Sequence, residues 1–116
     1  MILTRLHVRG HYIGVRVSIT ETVRERMRGL LDHNHLPHDE ALLLKRCGSV
    51  HTFGMRFAID VLFLDRQRRI VAIRHNVPKR RMLFSLRATQ TLEMPAGIAR
   101  LHGLALGDIL DFEAIR

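Results

Sequence analysis

The 116 residues suit one domain, and a 47% hydrophobic share fills a core without cross-links. The single cysteine, Cys47, excludes an intramolecular disulfide, and no apolar stretch has the length of a secretory h-region or a bilayer span. The expectation is a cytoplasmic protein that is not embedded in a membrane. The net charge of +8 is unevenly spread: residues 66–92 carry eight basic side chains and no acidic one, a block able to steer an anionic partner or to guard a hairpin edge.

Along the chain, GVRVSI alternates, with Val15, Val17 and Ile19 on one side, as a half-buried strand does. In TETVRERMRGLL, Thr22 and Glu25 have capping-box spacing, Thr20 competes as N-cap, and Val23, Met27, Leu30 and Leu31 form one apolar helical stripe. After the loop DHNHLPHDE, ALLLK reads as a buried strand. IDVLFLD is the strongest strand, with Ile59, Val61 and Phe63 on one face and Leu62 and Leu64 on the other. A polar turn at 65–68 leads to RIVAIR, its hairpin partner. The stretch 75–90, broken by Pro78, reads as a long connection. TLEM is a strand with Leu92 and Met94 inward, IARLHGL a short helical turn, Gly107-Asp108 a turn and ILDFEAI a last strand. Short strands without βαβ alternation predict one mainly β domain over 1–116. The expected form is a small antiparallel sandwich or barrel with one short helix in the N-terminal half and a short second helical turn.

Three segments together resemble a known family. Thr22, Glu25-Arg26, Gly29-Leu30 and Leu36-Pro37 match its opening pattern, IDVLFLD its acid-bearing strand, and TLEMPAGIARLHGLALGD its Leu-Glu-Leu-Pro-Ala-Gly and later Gly-Asp. On these motifs the chain resembles the prokaryotic domain-of-unknown-function family 192. The resemblance implies a mainly β, sandwich-like fold with one short helix and no established reaction. Where many members have Phe-Trp-Met-Lys-Asn-Thr before the acid, this chain has Val50-His51-Thr52-Phe53-Gly54-Met55, and Ala58 replaces the usual proline. Nothing the common version does through its Trp, Lys or Asn carries over.

Candidate chemistry centres on HTFGMRFAID. Asp60 shares a strand face with Arg56, Leu62 and Leu64, and a carboxylate among apolar neighbours demands a partner. That partner is either Arg56, at a pocket mouth beside His51, or backbone N–H groups of the HTFGM segment. Gly54 predicts a bulge or turn, so strand parity does not carry from His51 to Asp60. Pro95-Ala96-Gly97 ends a strand, and Gly97 permits close approach of a ligand or another chain segment. The expected ligand-binding set is therefore His51, Thr52, Arg56, Asp60, Pro95 and Gly97, and the first functional reading is a domain that binds an unidentified small polar or sugar-like molecule. An alternative is an accessory protein that binds nucleic acid or another anionic polymer through Arg66, Arg68, Arg69, Lys79, Arg80 and Arg81, although the block has only Phe84 for stacking. A third is a hydrolase using Asp60 and His51. The first reading requires no reaction, no cofactor and no membrane. Cys47 is expected in the core, and His33, His35, His38 and Asp39 lack the spacing of a metal site.

Overall fold

Alternation and continuous apolar runs sort the chain into strands. The computed structural model describes residues 1–31 and 33–115, and for Val23 and Met27 the backbone only, so these two members of the expected helical stripe lie outside the described side chains. The elements are β1 (Ile2–Val8), β2 (His11–Ile19), α1 (Val23–Arg28), β3 (Glu40–Lys45), β4 (Ser49–His51), β5 (Ile59–Leu64), β6 (Ile70–Val77), β7 (Met82–Phe84), β8 (Gln90–Pro95), α2 (Ile98–Leu101) and β9 (Leu110–Ala114). Seven strands form one sheet in the order β6-β5-β8-β3-β2-β1-β9, and β4 and β7 form a separate ribbon. The fold is mainly β, as expected, but the sheet is mixed because β2 and β3 run parallel. A parallel pair needs a crossover, and segment 20–39 with α1 supplies it. The two edge strands meet at the bridge between Arg69 and Ile109, where Ile70 N donates to Asp108 O at 2.9 Å; the sheet curls without closing into a barrel.

Three strands, β1, β4 and β7, go beyond those expected from the sequence. In β1, Thr4, Leu6 and Val8 are buried while Arg5 pairs with Glu113 of β9. In β7, Val50 pairs with Leu83, and the two sides of the ribbon differ: Val50 and Leu83 pack on the core, while His51, Met82 and Phe84 are exposed. Thr52 locks the ribbon's end, its N–H donating to Arg81 O and its hydroxyl donating to Pro78 O at 2.7 Å while accepting from Arg81 N at 2.8 Å.

The helix starts where the capping box predicts. Thr22 Oγ1 accepts from Glu25 N at 3.1 Å, and Glu25 Oε1 accepts from Thr22 N at 3.1 Å. The competing Thr20 is fully buried and serves the sheet instead, donating to Leu43 O and accepting from Lys45 N, both at 3.2 Å.

Both faces of the sheet's middle are covered, which explains why all six residues of β5 are buried. Leu62 and Leu64 join Leu92, Met94, Ile98 and Ala99 in one core. Ile59, Val61 and Phe63 join Leu30, Leu42, Leu44 and Met55 in the other. Asp60 lies on the first of these faces at zero exposure. Its Oδ1 accepts from Asn76 N at 2.8 Å, and its Oδ2 accepts from Gly97 N and Ala99 N, each at 3.0 Å. One carboxylate thereby ties the end of β6 and the start of α2 to β5.

Two substitutions test this arrangement. Asp60→Asn replaces an acceptor oxygen with an amide that faces backbone donors. It is expected to cost about 3 kcal/mol, the loss of one or two charge-assisted bonds, measured by urea unfolding. Gly48→Ala is expected to cost about 2 kcal/mol by overpacking, because its new Cβ would lie 2.8 Å from the Ala88 carbonyl oxygen and 3.3 Å from that of Ser85, both backbone atoms.

Candidate functional site

Strand alternation in β8 sends Leu92 and Met94 into the first core and Glu93 to the opposite face. There the cross-strand neighbours of Glu93 are Leu42 on β3 and Val61 on β5, both in the second core. Glu93 is 3% exposed, and among the described residues its carboxyl has no hydrogen-bond or ion-pair partner. Burial without a partner disfavours the charged form, and it pushes the Glu93 carboxyl from its ordinary 4.5 up to about 7. Near neutral pH this group both donates and accepts.

The carboxyl borders a cavity of about 270 Å³ between α1, β3 and the β4–β7 ribbon. Leu30, Leu31, Leu44, Val50 and Met55 give it apolar walls, and Arg26, Arg28, Cys47, Ser49 and His51 give it polar ones. Gly29 terminates α1 at φ +48°, a left-handed conformation that favours glycine, and a Cβ there would sit 3.8 Å from Glu93 Oε1. The wall nearest the acid is thus bare backbone. Cys47 is half-buried, and its thiol donates to Ser49 O at 2.9 Å, which fixes it in the wall.

The residues singled out in the sequence divide among different places. His51 lines the cavity, exposed at its edge and in tilted contact with Phe53 at 6.1 Å between ring centroids. Asp60 and Gly97 meet through a hydrogen bond. The backbone donors to Asp60 come from Asn76, Gly97 and Ala99 rather than from the HTFGM segment, and Pro95 is buried at the end of β8 beside Ile59. Arg56 is exposed and donates to the side-chain carbonyl of Asn34, away from Asp60. Thr52 is occupied with the β6–β7 connection. Among the described residues no three metal-capable side chains gather; Asp39 faces Arg16 at 3.6 Å, and His33, His35 and His38 are exposed.

The basic block is split rather than continuous. Arg66, Arg68 and Arg69 sit at the β5–β6 turn, while Lys79, Arg80 and Arg81 follow the far end of β6. A strand of that length separates them by roughly 25 Å. Arg68 packs over the Phe112 ring at 5.5 Å and pairs with Asp111 at 3.8 Å.

The curated relatives are a UPF0127 protein of Thermococcus sibiricus, 30% identical over 84% of this chain and 66% of its own length, and one of Thermococcus kodakarensis, 29% identical over 84% and 64%. The chain spans about two-thirds of the length of these relatives. Two crystal structures share the fold at 20% identity. One, from Sinorhizobium meliloti 1021 and described as a candidate transcription regulator, has a TM-score of 0.85 over 95% of this chain and 93% of that one. The other, a protein of unknown function from Novosphingobium aromaticivorans, has a TM-score of 0.80 over 94% and 84%. The family model of DUF192, "Uncharacterized ACR", matches residues 4–112, and the chain belongs to that family.

Proposed function

We propose that this protein is a small-ligand-binding β-domain whose ligand occupies the Glu93 cavity, with His51 at the entrance. The single observation behind this reading is Glu93, a residue 3% exposed whose carboxyl has no protein partner among the described residues and borders a hollow. Unpaired buried polar groups are rare in folded proteins, and a ligand donor is one way to satisfy this one. The volume, about 270 Å³, lies just under the roughly 300–1,000 Å³ of typical small-molecule pockets, so the occupant is small. Apolar walls from Leu30, Leu31, Leu44, Val50 and Met55, together with the carboxyl and polar groups such as Ser49 and His51, suit a molecule with an aliphatic or ring body and a hydroxyl or amine for Glu93. Thr52, Asp60, Pro95 and Gly97 act behind this site, fastening the strands and the ribbon that frame it.

The acid makes stability depend on pH, with a definite sign. Below pH 4.5 Glu93 is neutral in folded and unfolded chains alike. Between 4.5 and about 7 the folded chain keeps a proton that the unfolded chain has released. Stability therefore falls as pH rises through this window and levels off above it, by about 3 kcal/mol in all. Glu93→Gln removes the dependence: urea unfolding is expected to find it more stable than the parent by about 2 kcal/mol at pH 8 and within about 1 kcal/mol of it at pH 4.5. Parallel pH profiles for parent and variant would show that water or protein already satisfies the carboxyl, and the reading would fail. Binding is tested by an NMR screen of small alcohols and amines. Hits are expected to shift the methyl signals of Leu44 and Met55 in the parent and not in Glu93→Gln; shifts confined to surface residues would count against the cavity.

A further inference from the structure

A second hollow, an open groove of about 890 Å³, lies on the other side of Arg26 and is independent of Glu93. Four cationic side chains converge on it from separate parts of the chain: Arg26 from α1, Lys45 from the end of β3, Arg46 from the turn after it, and Arg66 from the β5–β6 turn. Among the described residues none of the four has a carboxylate or hydrogen-bond partner for its side chain. The groove's one acid, Glu21, is already matched by the N-terminal amine of Met1 at 3.3 Å. By contrast, Arg5, Arg9, Arg16 and Arg68 elsewhere on the surface each face a carboxylate.

The groove is also pre-shaped. Gly48 packs so tightly on residues 85 and 88 that a Cβ has no room, Cys47 N donates to Thr89 O at 3.0 Å, and Ser85 N donates to Gly48 O at 3.0 Å. Arg46 is held at φ +53°, an uncommon conformation for a non-glycine residue. Like charges brought together on a rigid frame repel, and an anion between them relieves that repulsion. Guanidinium groups suit phosphate oxygens because they donate in pairs. The lining contains no aromatic ring, which a single-stranded nucleic acid would use for stacking, and the volume is that of a small-molecule site.

We infer that the groove framed by Arg26, Lys45, Arg46 and Arg66 binds the phosphate or diphosphate group of a small phosphorylated molecule. The test uses the full chain with inorganic pyrophosphate, followed by calorimetry and by amide NMR at 150 mM salt. Saturable shifts are expected at residues 45–48 and 66. Lys45→Ala, Arg46→Ala and Arg66→Ala should each weaken binding by about tenfold. Arg80→Ala with Arg81→Ala, at the far end of β6, should leave it unchanged, and so should Glu93→Gln, which separates this site from the cavity. The proposal is overturned by absence of saturable shifts, or by equal weakening in the groove and control variants, which would indicate bulk charge. It is also overturned if a single-stranded oligonucleotide binds at this salt and pyrophosphate does not compete with it.

Discussion

A carboxylate without a counter-ion organises this fold. Asp60 stands in the most buried strand, and three peptide N–H groups from two other parts of the chain converge on its oxygens. An ionised carboxylate is an acceptor only, so each contact must be a donor, and backbone donors satisfy it without adding a second charge to be desolvated. The consequence is positional. With Gly97 and Ala99 held, α2 places Ile98 and Ala99 against the first core, and with Asn76 held, the irregularity at which the β5–β6 register shifts between Ile59 and Val61 is fixed in place. Gly97, at φ +91°, lets the chain turn sharply enough for two of its N–H groups to face one oxygen.

A second acid lies one register step away and meets the opposite fate. Asp60 pairs across the sheet with Met94, and Val61 pairs with Glu93, so the two carboxyls sit on adjoining strands and face opposite layers. Their burial is equal within a few per cent, and only their company differs. Asp60 is enclosed by donors belonging to the fold. Glu93 is bordered by Leu42, Val61 and a hollow, and its raised pKa follows from desolvation alone. Three backbone hydrogen bonds thus hold one acid in the architecture, while its neighbour has none among the described residues.

Much of this was legible in the sequence, and the gaps have physical causes. The alternation in β2, the two-faced run of β5, the Thr22–Glu25 box and the need of Asp60 for partners all follow from local pattern and all have counterparts in the structure. The identity of the donors to Asp60 did not follow, since Gly97 and Ala99 are remote in sequence and reach it only through the pairing of β5 with β8. Glu93 escaped for a related reason. In Leu-Glu-Met the acid falls where an alternating strand shows its solvent side, but β8 has strands on both flanks and cover on both faces, so its polar side is also interior. The available signal was the same as at Asp60: one acid between apolar strand residues, Leu92 and Met94. The ribbon of β4 and β7 was hidden because each strand has three residues and Pro78 and Gly54 interrupt the pattern around them.

Arg26 and Cys47 line both hollows, so the two sites share a wall while their other charged residues differ. Lys45, Arg46 and Arg66 border the groove and not the cavity, and Glu93 borders the cavity and not the groove. The basic surplus of this chain is thus met in two ways: Arg5, Arg9 and Arg68 face carboxylates near the sheet edges, whereas the four cations of the groove converge from separate elements with no carboxylate partner among the described residues.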